Sequence, residues 1–328
     1  MSRRKQIIEG NEVSEMHAFP LGGYDQKVLI EGKKKDLPIV IFLHGGPGTP
    51  IPFNAGCRGL FPAFTDKFMM VYWDQLGCGI NHRDLDESLT VGSFVTMAKD
   101  LIRAVRKLYP ENRVYLFSVS WGSVLSGKLL EAGAEVDGVV VYGQVTHDLF
   151  FNEPVKKALE GSKIPAARLE RIRQMETQTI SNEDLQLLSK SLQKYTDGYF
   201  NRSGKKPPMG PIILGMLTSP DYKLRDFKAV VQNGYSRNPD FLLKLWKELL
   251  SLDLSDTLRN ASVPCHILQG DSDIVATTEF VQELADSAGN PRLTCEIVPD
   301  SGHFPNAAAM DRILQALMDL NSCQNPRK

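Results

Sequence analysis

Hydrophobic residues recur along this chain in two patterns. Pro38-Ile39-Val40-Ile41-Phe42-Leu43 is a continuous apolar run that stops at a glycine-rich turn. A run of this kind reads as a strand covered on both faces, the signature of a parallel sheet. Residues 68–73, 114–117, 138–142, 265–268 and 294–298 repeat it. Residues 16–31 instead alternate loosely around Gly22-Gly23, which predicts an N-terminal β-hairpin. The second pattern is helical: Phe94, Ala98, Leu101, Val105 and Leu108 form one apolar stripe, and Met310, Ile313, Leu314 and Leu317 form another.

Strands alternating with helices predict an α/β protein built on a doubly wound, mostly parallel sheet. The alternation lapses between about residues 145 and 260. Helical segments at 183–192 and at 241–250, the latter opened by Asn238-Pro239, flank a loop at 201–211 rich in Gly, Pro and Lys. The economical reading places the sheet core in residues 1–145 and 261–328, with 146–260 as a helical cap inserted into it.

Composition narrows the function. Lys and Arg number 38 against 39 for Asp and Glu, so the chain lacks the basic field that nucleic-acid binding needs. No apolar run is long enough to span a bilayer, and the basic start, Met1-Ser2-Arg3-Arg4-Lys5, leads into no secretory-type apolar stretch. The five cysteines form an odd set without a CxxC pair, which reads as reduced thiols in a cytoplasmic protein. The expected partner is a small molecule, with no nucleic acid, no membrane, no metal and no cofactor. Nothing in the sequence signals an oligomeric state.

Four segments carry chemistry. His44-Gly45-Gly46-Pro47-Gly48 follows a buried strand, where small residues free backbone N–H groups to face a cleft. It reads as an oxyanion hole. A plain glycine turn is the bland alternative, and a phosphate cradle is disfavoured because the spacing matches neither phosphate-binding fingerprint. Ser118-Val119-Ser120-Trp121-Gly122 lies between a strand and a helix, the setting of a nucleophile elbow that displays Ser120. A serine hydroxyl needs a base to become a useful nucleophile. Gly270-Asp271-Ser272-Asp273 and Asp300-Ser301-Gly302-His303 follow two later strands and bring a carboxylate and an imidazole to the same rim. His303 is the candidate base, and either Asp271 or Asp273 the acid that orients it. Of the other histidines, His44 belongs to the glycine turn, His266 reads as a core residue within a strand, and His17 and His82 lack a strand-end position. His147, at the start of the insertion, is placed to border the pocket.

These segments, together with Tyr72-Trp73-Asp74-Gln75-Leu76-Gly77-Cys78-Gly79, resemble the proline iminopeptidases and their relatives in the α/β-hydrolase superfamily. The resemblance covers roughly residues 20–145 and 260–320 and implies an α/β-hydrolase fold. It implies Ser120 as nucleophile, His303 as base and Asp273 as the acid. It also implies that the N–H groups of Trp121 and of Gly46, or Gly45, receive the oxyanion. The chain departs from the family pattern at Leu76 (Arg in the family), Asn81 (Ser) and Ser118-Val119 (Gly-Gly). Iminopeptidases hold the substrate's amino terminus with cap carboxylates beside a Trp-Glu segment. That segment is absent here, and Glu153, Glu176 and Glu183 are the candidate acids. Phe53, Trp121, Phe150, Phe151 and Trp246 are candidates for the pocket wall.

The leading expectation is therefore a serine aminopeptidase of the proline iminopeptidase type, releasing an N-terminal residue from small peptides. A carboxylic ester or lactone hydrolase using the same triad is the alternative. A non-catalytic binding protein that keeps the fold is a third reading, and it requires a misplaced triad member.

Overall fold

The computed structural model describes residues 2–204 and 209–323. Gly22 and Gly23, with φ of 58° and 84°, turn strand β1 (Val13–Leu21) back onto β2 (Tyr24–Gly32). A two-residue turn at positive φ matches the twist of an antiparallel pair, and Leu21 faces Tyr24 across it. The expected hairpin is present and longer than the alternating stretch alone suggests. The remaining strands are β3 (Ile39–Leu43), β4 (Met69–Tyr72), β5 (Val114–Val119), β6 (Gly138–Tyr142), β7 (Cys265–Gly270) and β8 (Leu293–Val298). They form one eight-stranded sheet in the order β1-β2-β4-β3-β5-β6-β7-β8. The hairpin joins β4 antiparallel, and every pair from β4 onward is parallel.

Successive side chains of β3 point to opposite faces, and the core divides accordingly. Ile39, Ile41 and Leu43 belong to the apolar cluster on one face, while Val40 and Phe42 belong to that on the other. The first face is covered by α3 (Val91–Leu108), α4 (Trp121–Glu131) and α12 (Thr278–Ser287) through Phe94, Leu101, Leu125 and Val281. The second is covered by the short α2 (Pro62–Thr65) and by α13 (Ala307–Cys323), through Phe64, Ile313 and Leu317. Helix α3 starts at a capping box in which Thr90 accepts from the Ser93 N–H. Its stripe is buried as expected except at Leu108, which ends the helix and is 42% exposed.

Between β6 and β7 the described residues hold helices and no strand: α5 (Glu153–Glu160), α6 (Ala166–Arg173), α7 (Asn182–Tyr195), α8 (Met209–Leu217), α9 (Leu224–Val231), α10 (Pro239–Leu250) and α11 (Ser255–Arg259). Asn238 caps α10 by accepting from the Phe241 N–H, as Asn-Pro at a helix start suggests. Leu188, Leu192, Leu245 and Leu249 extend the cluster on the first face upward into this insertion. At the N-terminus, α1 (Arg3–Gly10) buries no residue, and its sequence carries no apolar stripe that announces it.

Three expectations need correction. Residues 294–298 read as a strand covered on both faces, yet β8 is the edge of the sheet and its middle is only half-buried. His266, next to it, is partly exposed rather than in the core, and its Nδ1 lies 2.7 Å from Thr294 Oγ1. The loop read at 201–211 ends early, because α8 begins at Met209; residues 205–208 lie outside the described residues.

Candidate active site

Ser120 sits between β5 and α4 with φ 52° and ψ −116°, a backbone conformation that costs a residue with a side chain on the order of 1–3 kcal/mol. The turn is sharp because α4 leaves β5 almost in contact with β3: a Cβ on Gly122 would overlap the Leu43 carbonyl. Ser118 replaces the first glycine of the usual pattern without disrupting this packing. It is fully buried, and its Oγ lies 3.0 Å from Ser126 Oγ on α4.

The Ser120 Oγ lies 2.8 Å from His303 Nε2, and His303 Nδ1 lies 2.8 Å from Asp273 Oδ2. Asp273 follows β7 and His303 follows β8, so two neighbouring strand ends deliver the pair. The carboxylate is fixed on every side. Oδ1 accepts the N–H groups of Val275 and Ala276 at 2.8 and 3.0 Å, and Oδ2 also accepts from Gln269 Nε2 at 2.9 Å. Asp271 has a different place. It accepts the N–H groups of Asp300 and Ser301 at 2.8 and 3.1 Å, bracing the His303 loop without touching the imidazole. From β6, the Tyr142 hydroxyl donates to the Gly302 carbonyl at 2.7 Å. A ring of this kind can take the hydroxyl proton at Nε2 while the carboxylate holds the proton on Nδ1.

The glycine loop after β3 faces Ser120. Gly46 has φ 127°, and a Cβ there would come within 2.7 Å of the Thr49 nitrogen, so only glycine suits. Trp121 is the first residue of α4, where a backbone N–H has no acceptor within the helix. The loop is held from behind by His44. The Gln75 N–H donates to His44 Nε2 at 3.1 Å, which leaves the ring proton on Nδ1, 2.8 Å from the Gly45 carbonyl. Burial pushes the His44 imidazole down to about 4, so it stays neutral. Gln75 Oε1 in turn accepts from Trp121 Nε1 at 2.8 Å. Asp74 accepts from the Ala55 and Ile80 N–H groups and from the Tyr222 hydroxyl, tying the segment to the insertion. The two departures from the family pattern here have structural roles. Leu76 is buried in the core, and Asn81 donates to the carbonyls of Asp74 and Lys27.

These groups open on a cavity of about 410 Å³. Gly45, Gly46, Ser120, Trp121 and His303 line it, and so do Phe150 and Trp246 among the candidate wall residues. The other candidates stand elsewhere. Phe53 lies under the opposite face of the sheet, wedged against Phe42, Phe61, Phe64 and Tyr72, because the chain dives into that core after Pro52. Phe151 packs against the first cluster and does not line the cavity. His147 stacks on Phe280 at 4.5 Å and its Nδ1 is 3.4 Å from Ser255 Oγ, outside the cavity. Glu153 is exposed in the first turn of α5, paired with Lys156 at 2.7 Å. Glu176 and Glu183 are exposed as well.

The insertion supplies lining residues that the sequence reading missed. Tyr199 meets the His303 ring edge-on at 5.8 Å. Asn233 donates from Nδ2 to the Pro47 carbonyl at 2.9 Å and so clips the glycine loop. Its φ is 52°, and no sequence motif marks it.

A parallel sheet with Ser120 on the β5–α4 turn, and His303 and Asp273 at later strand ends, defines the α/β-hydrolase class. Residues 38–307 match the family described as the alpha/beta hydrolase fold, and the chain belongs to it. It is 24% identical over 312 residues to the probable aminopeptidase YbaC of Bacillus subtilis (strain 168), covering 92% of this chain and 94% of that one. It is 38% identical over 106 residues to the proline iminopeptidase of Neisseria gonorrhoeae, a match that covers only 32% of either chain. Among solved structures, the proline iminopeptidase of Mycobacterium smegmatis superposes with a TM-score of 0.62 at 19% identity, over 94% of this chain and 98% of that one.

Proposed function

We propose that this protein is a serine hydrolase working through an acyl-enzyme on small substrates. The observation that carries the reading is the unbroken series Ser120 Oγ, His303, Asp273, with 2.8 Å at each step. In this mechanism His303 takes the Ser120 proton as Oγ attacks the substrate carbonyl. The resulting oxyanion rests on the N–H groups of Trp121 and of Gly46 or Gly45. Collapse expels the leaving group, which receives the proton from His303. Water, deprotonated by the same imidazole, then attacks the acyl-enzyme and regenerates Ser120. Asp273 holds the ring in its productive tautomer throughout. The helices of residues 146–260 serve as the cap that limits substrate size.

Two substrate classes share this chemistry, since fold and triad do not fix the acyl group. Release of an N-terminal residue from small peptides is supported by similarity over 92% of the chain to a probable aminopeptidase. Hydrolysis of a carboxylic ester or lactone is supported by the apolar wall that Phe150 and Trp246 give the cavity. A non-catalytic role is disfavoured because the three side chains touch. The test is labelling with a fluorophosphonate probe. The expected result is one covalent adduct on Ser120, absent in Ser120→Ala, whose turnover falls by on the order of 10⁴ or more. Labelling of the Ser120→Ala protein to the same extent overturns the reading.

A further inference from the structure

The acyl-enzyme reading leaves open what the acyl group carries. We infer that the cavity selects an uncharged acyl group and discriminates against a free α-ammonium; this rests on Ser120 being the acylated residue. Around Ser120 the wall is made by Val124, Val145, Leu149, Phe150, Trp246 and Leu249. The polar edge, formed by Ser189, Gln193 and Tyr199, is neutral, with the Ser189 hydroxyl 3.3 Å from the Tyr199 hydroxyl. Among the described residues lining the cavity there is no Asp, Glu, Lys or Arg. The residues outside the described set contribute no acidic side chain either.

The carboxylates nearest in role are spoken for. Asp273 is fully buried and already accepts from His303, Gln269, Val275 and Ala276. Asp74 lies behind the glycine loop, occupied by Ala55, Ile80 and Tyr222. Glu153 and Glu183 are on the surface, facing Lys156 and Arg171. An ammonium seated in this cavity therefore meets no counter-charge, and burying an unpaired charge is far costlier than burying a methylene. The preferred substrate is an ester or amide whose acyl side bears no free amine. An aminoacyl substrate enters only after losing its proton.

The test compares substrates differing only at that amine: leucine methyl ester against methyl 4-methylpentanoate, and the 4-nitroanilides of the same two acids. The expected result near about pH 7 is a kcat/KM about six- to elevenfold higher for the desamino member, because about 0.1–0.2 of the aminoacyl substrate is deprotonated there. That ratio should shrink as pH rises through the α-amine titration, at about 7.7–8.0. Installing a carboxylate with Ser189→Asp should move the ratio toward the aminoacyl member by at least about tenfold. Fluorophosphonate labelling of Ser120 is run alongside. A labelled wild-type enzyme that prefers the aminoacyl member, or turns over neither, overturns this inference and leaves the acyl-enzyme reading standing. A labelled, folded Ser189→Asp with an unchanged ratio also overturns it. An enzyme that is not labelled at Ser120 overturns both.

Discussion

The backbone N–H of His303 donates to the carbonyl of Gly198 at 2.8 Å, so the loop carrying the imidazole is held by the helical insertion as well as by the sheet. The next residue repeats the contact, Phe304 N–H to the Tyr199 carbonyl at 2.9 Å, and Ser272 Oγ donates to the Asp197 carbonyl at 3.1 Å. This clasp leaves no room at Gly302, where a Cβ would lie 2.9 Å from the carbonyl oxygens of both Asp197 and Tyr199. Gly302→Ala must therefore push the imidazole loop and the insertion apart. An error of about 1 Å in a reacting group costs on the order of 10² in rate. We expect kcat/KM and the rate of Ser120 labelling to fall together by about that factor in a protein that still melts cooperatively. A wild-type labelling rate would show that the clasp does not position His303.

The two candidate acids separate by what they touch. Asp273→Asn puts an amide where both oxygens now accept hydrogen bonds, so one N–H donor must face another or the imidazole must change tautomer. The expected loss in kcat is on the order of 10⁴. Asp271→Asn removes charge from a site that accepts two loop N–H groups and nothing from the ring. It should lower the melting temperature by a few degrees and leave kcat within about tenfold of wild type. Steady-state rates of the two variants, side by side, decide the assignment.

The legible parts of this molecule are those written locally. Apolar runs such as 38–43 and 138–142 announce parallel strands because both faces of each are covered, and the residues after them fall on one rim for topological reasons. The edge strand β8 misled because an edge still carries Leu293, Ile297 and Val298 although half of it faces solvent. Cavity walls are not legible in the sequence, for a different reason. Phe53 and Phe150 are alike as residues, but which core each enters is set by contacts distant in sequence, with Phe117 for one and Trp246 for the other. Asn233 and Tyr199 reach the site only through the folding of the insertion, whose helices carry amphipathic patterns that do not say where they dock.

Ser120 should betray its strain when its hydroxyl is removed. Ser120→Ala and Ser120→Gly both lose the contact with His303, so their difference isolates the backbone. At φ 52° and ψ −116° the Cβ is unfavourable, and glycine relieves it. Glycine normally loses about 0.5–1 kcal/mol to alanine in ordered structure, through the entropy of the unfolded chain. Here we expect the reverse, with Ser120→Gly more stable than Ser120→Ala by about 1 kcal/mol in urea unfolding. Alanine as the more stable of the two would mean that the turn relaxes in solution.

Two buried groups behind the glycine loop oppose each other as pH changes. Burial pushes the Asp74 carboxyl up to about 6, against 3.8 ordinarily. Its stabilising contribution is complete below 3.8 and is lost as pH rises through about 6. Burial pushes the His44 imidazole down to about 4 from 6.5. Its contribution is complete above 6.5 and is lost as pH falls toward 4. Across that window the two effects largely cancel. Asp74→Asn removes one of them, so acidification from about pH 6.5 to 4 should cost the variant about 2 kcal/mol more than it costs wild type. Urea midpoints across the window measure this as a difference in slope, separate from any constant loss due to the amide.

Arg4 links the N-terminus to both halves of the molecule. Its Nε donates to the Arg58 carbonyl at 2.7 Å and its Nη2 to the Gly56 carbonyl at 2.8 Å, both between β3 and β4. Its Nη1 donates to the Gly215 carbonyl at 2.6 Å, on helix α8 of the insertion. Hydrogen bonds to a charged donor contribute about 1.5–3 kcal/mol each at most, and exposure of part of the group reduces this. Helix α8 is otherwise held by a small apolar cluster, in which Ile212 and Met216 pack with Cys57 and Val230, while Ile213, Leu214 and Leu217 face solvent. Arg4→Ala should therefore act locally. We expect a global stability loss of about 1–2 kcal/mol, but amide exchange across α8 and α9 faster by at least about tenfold. Arg4→Lys should restore little, because one ammonium does not span three carbonyls with the guanidinium's planar fork. Uniform acceleration over the whole sheet, or none in α8, would show that the link is not what seats this part of the insertion.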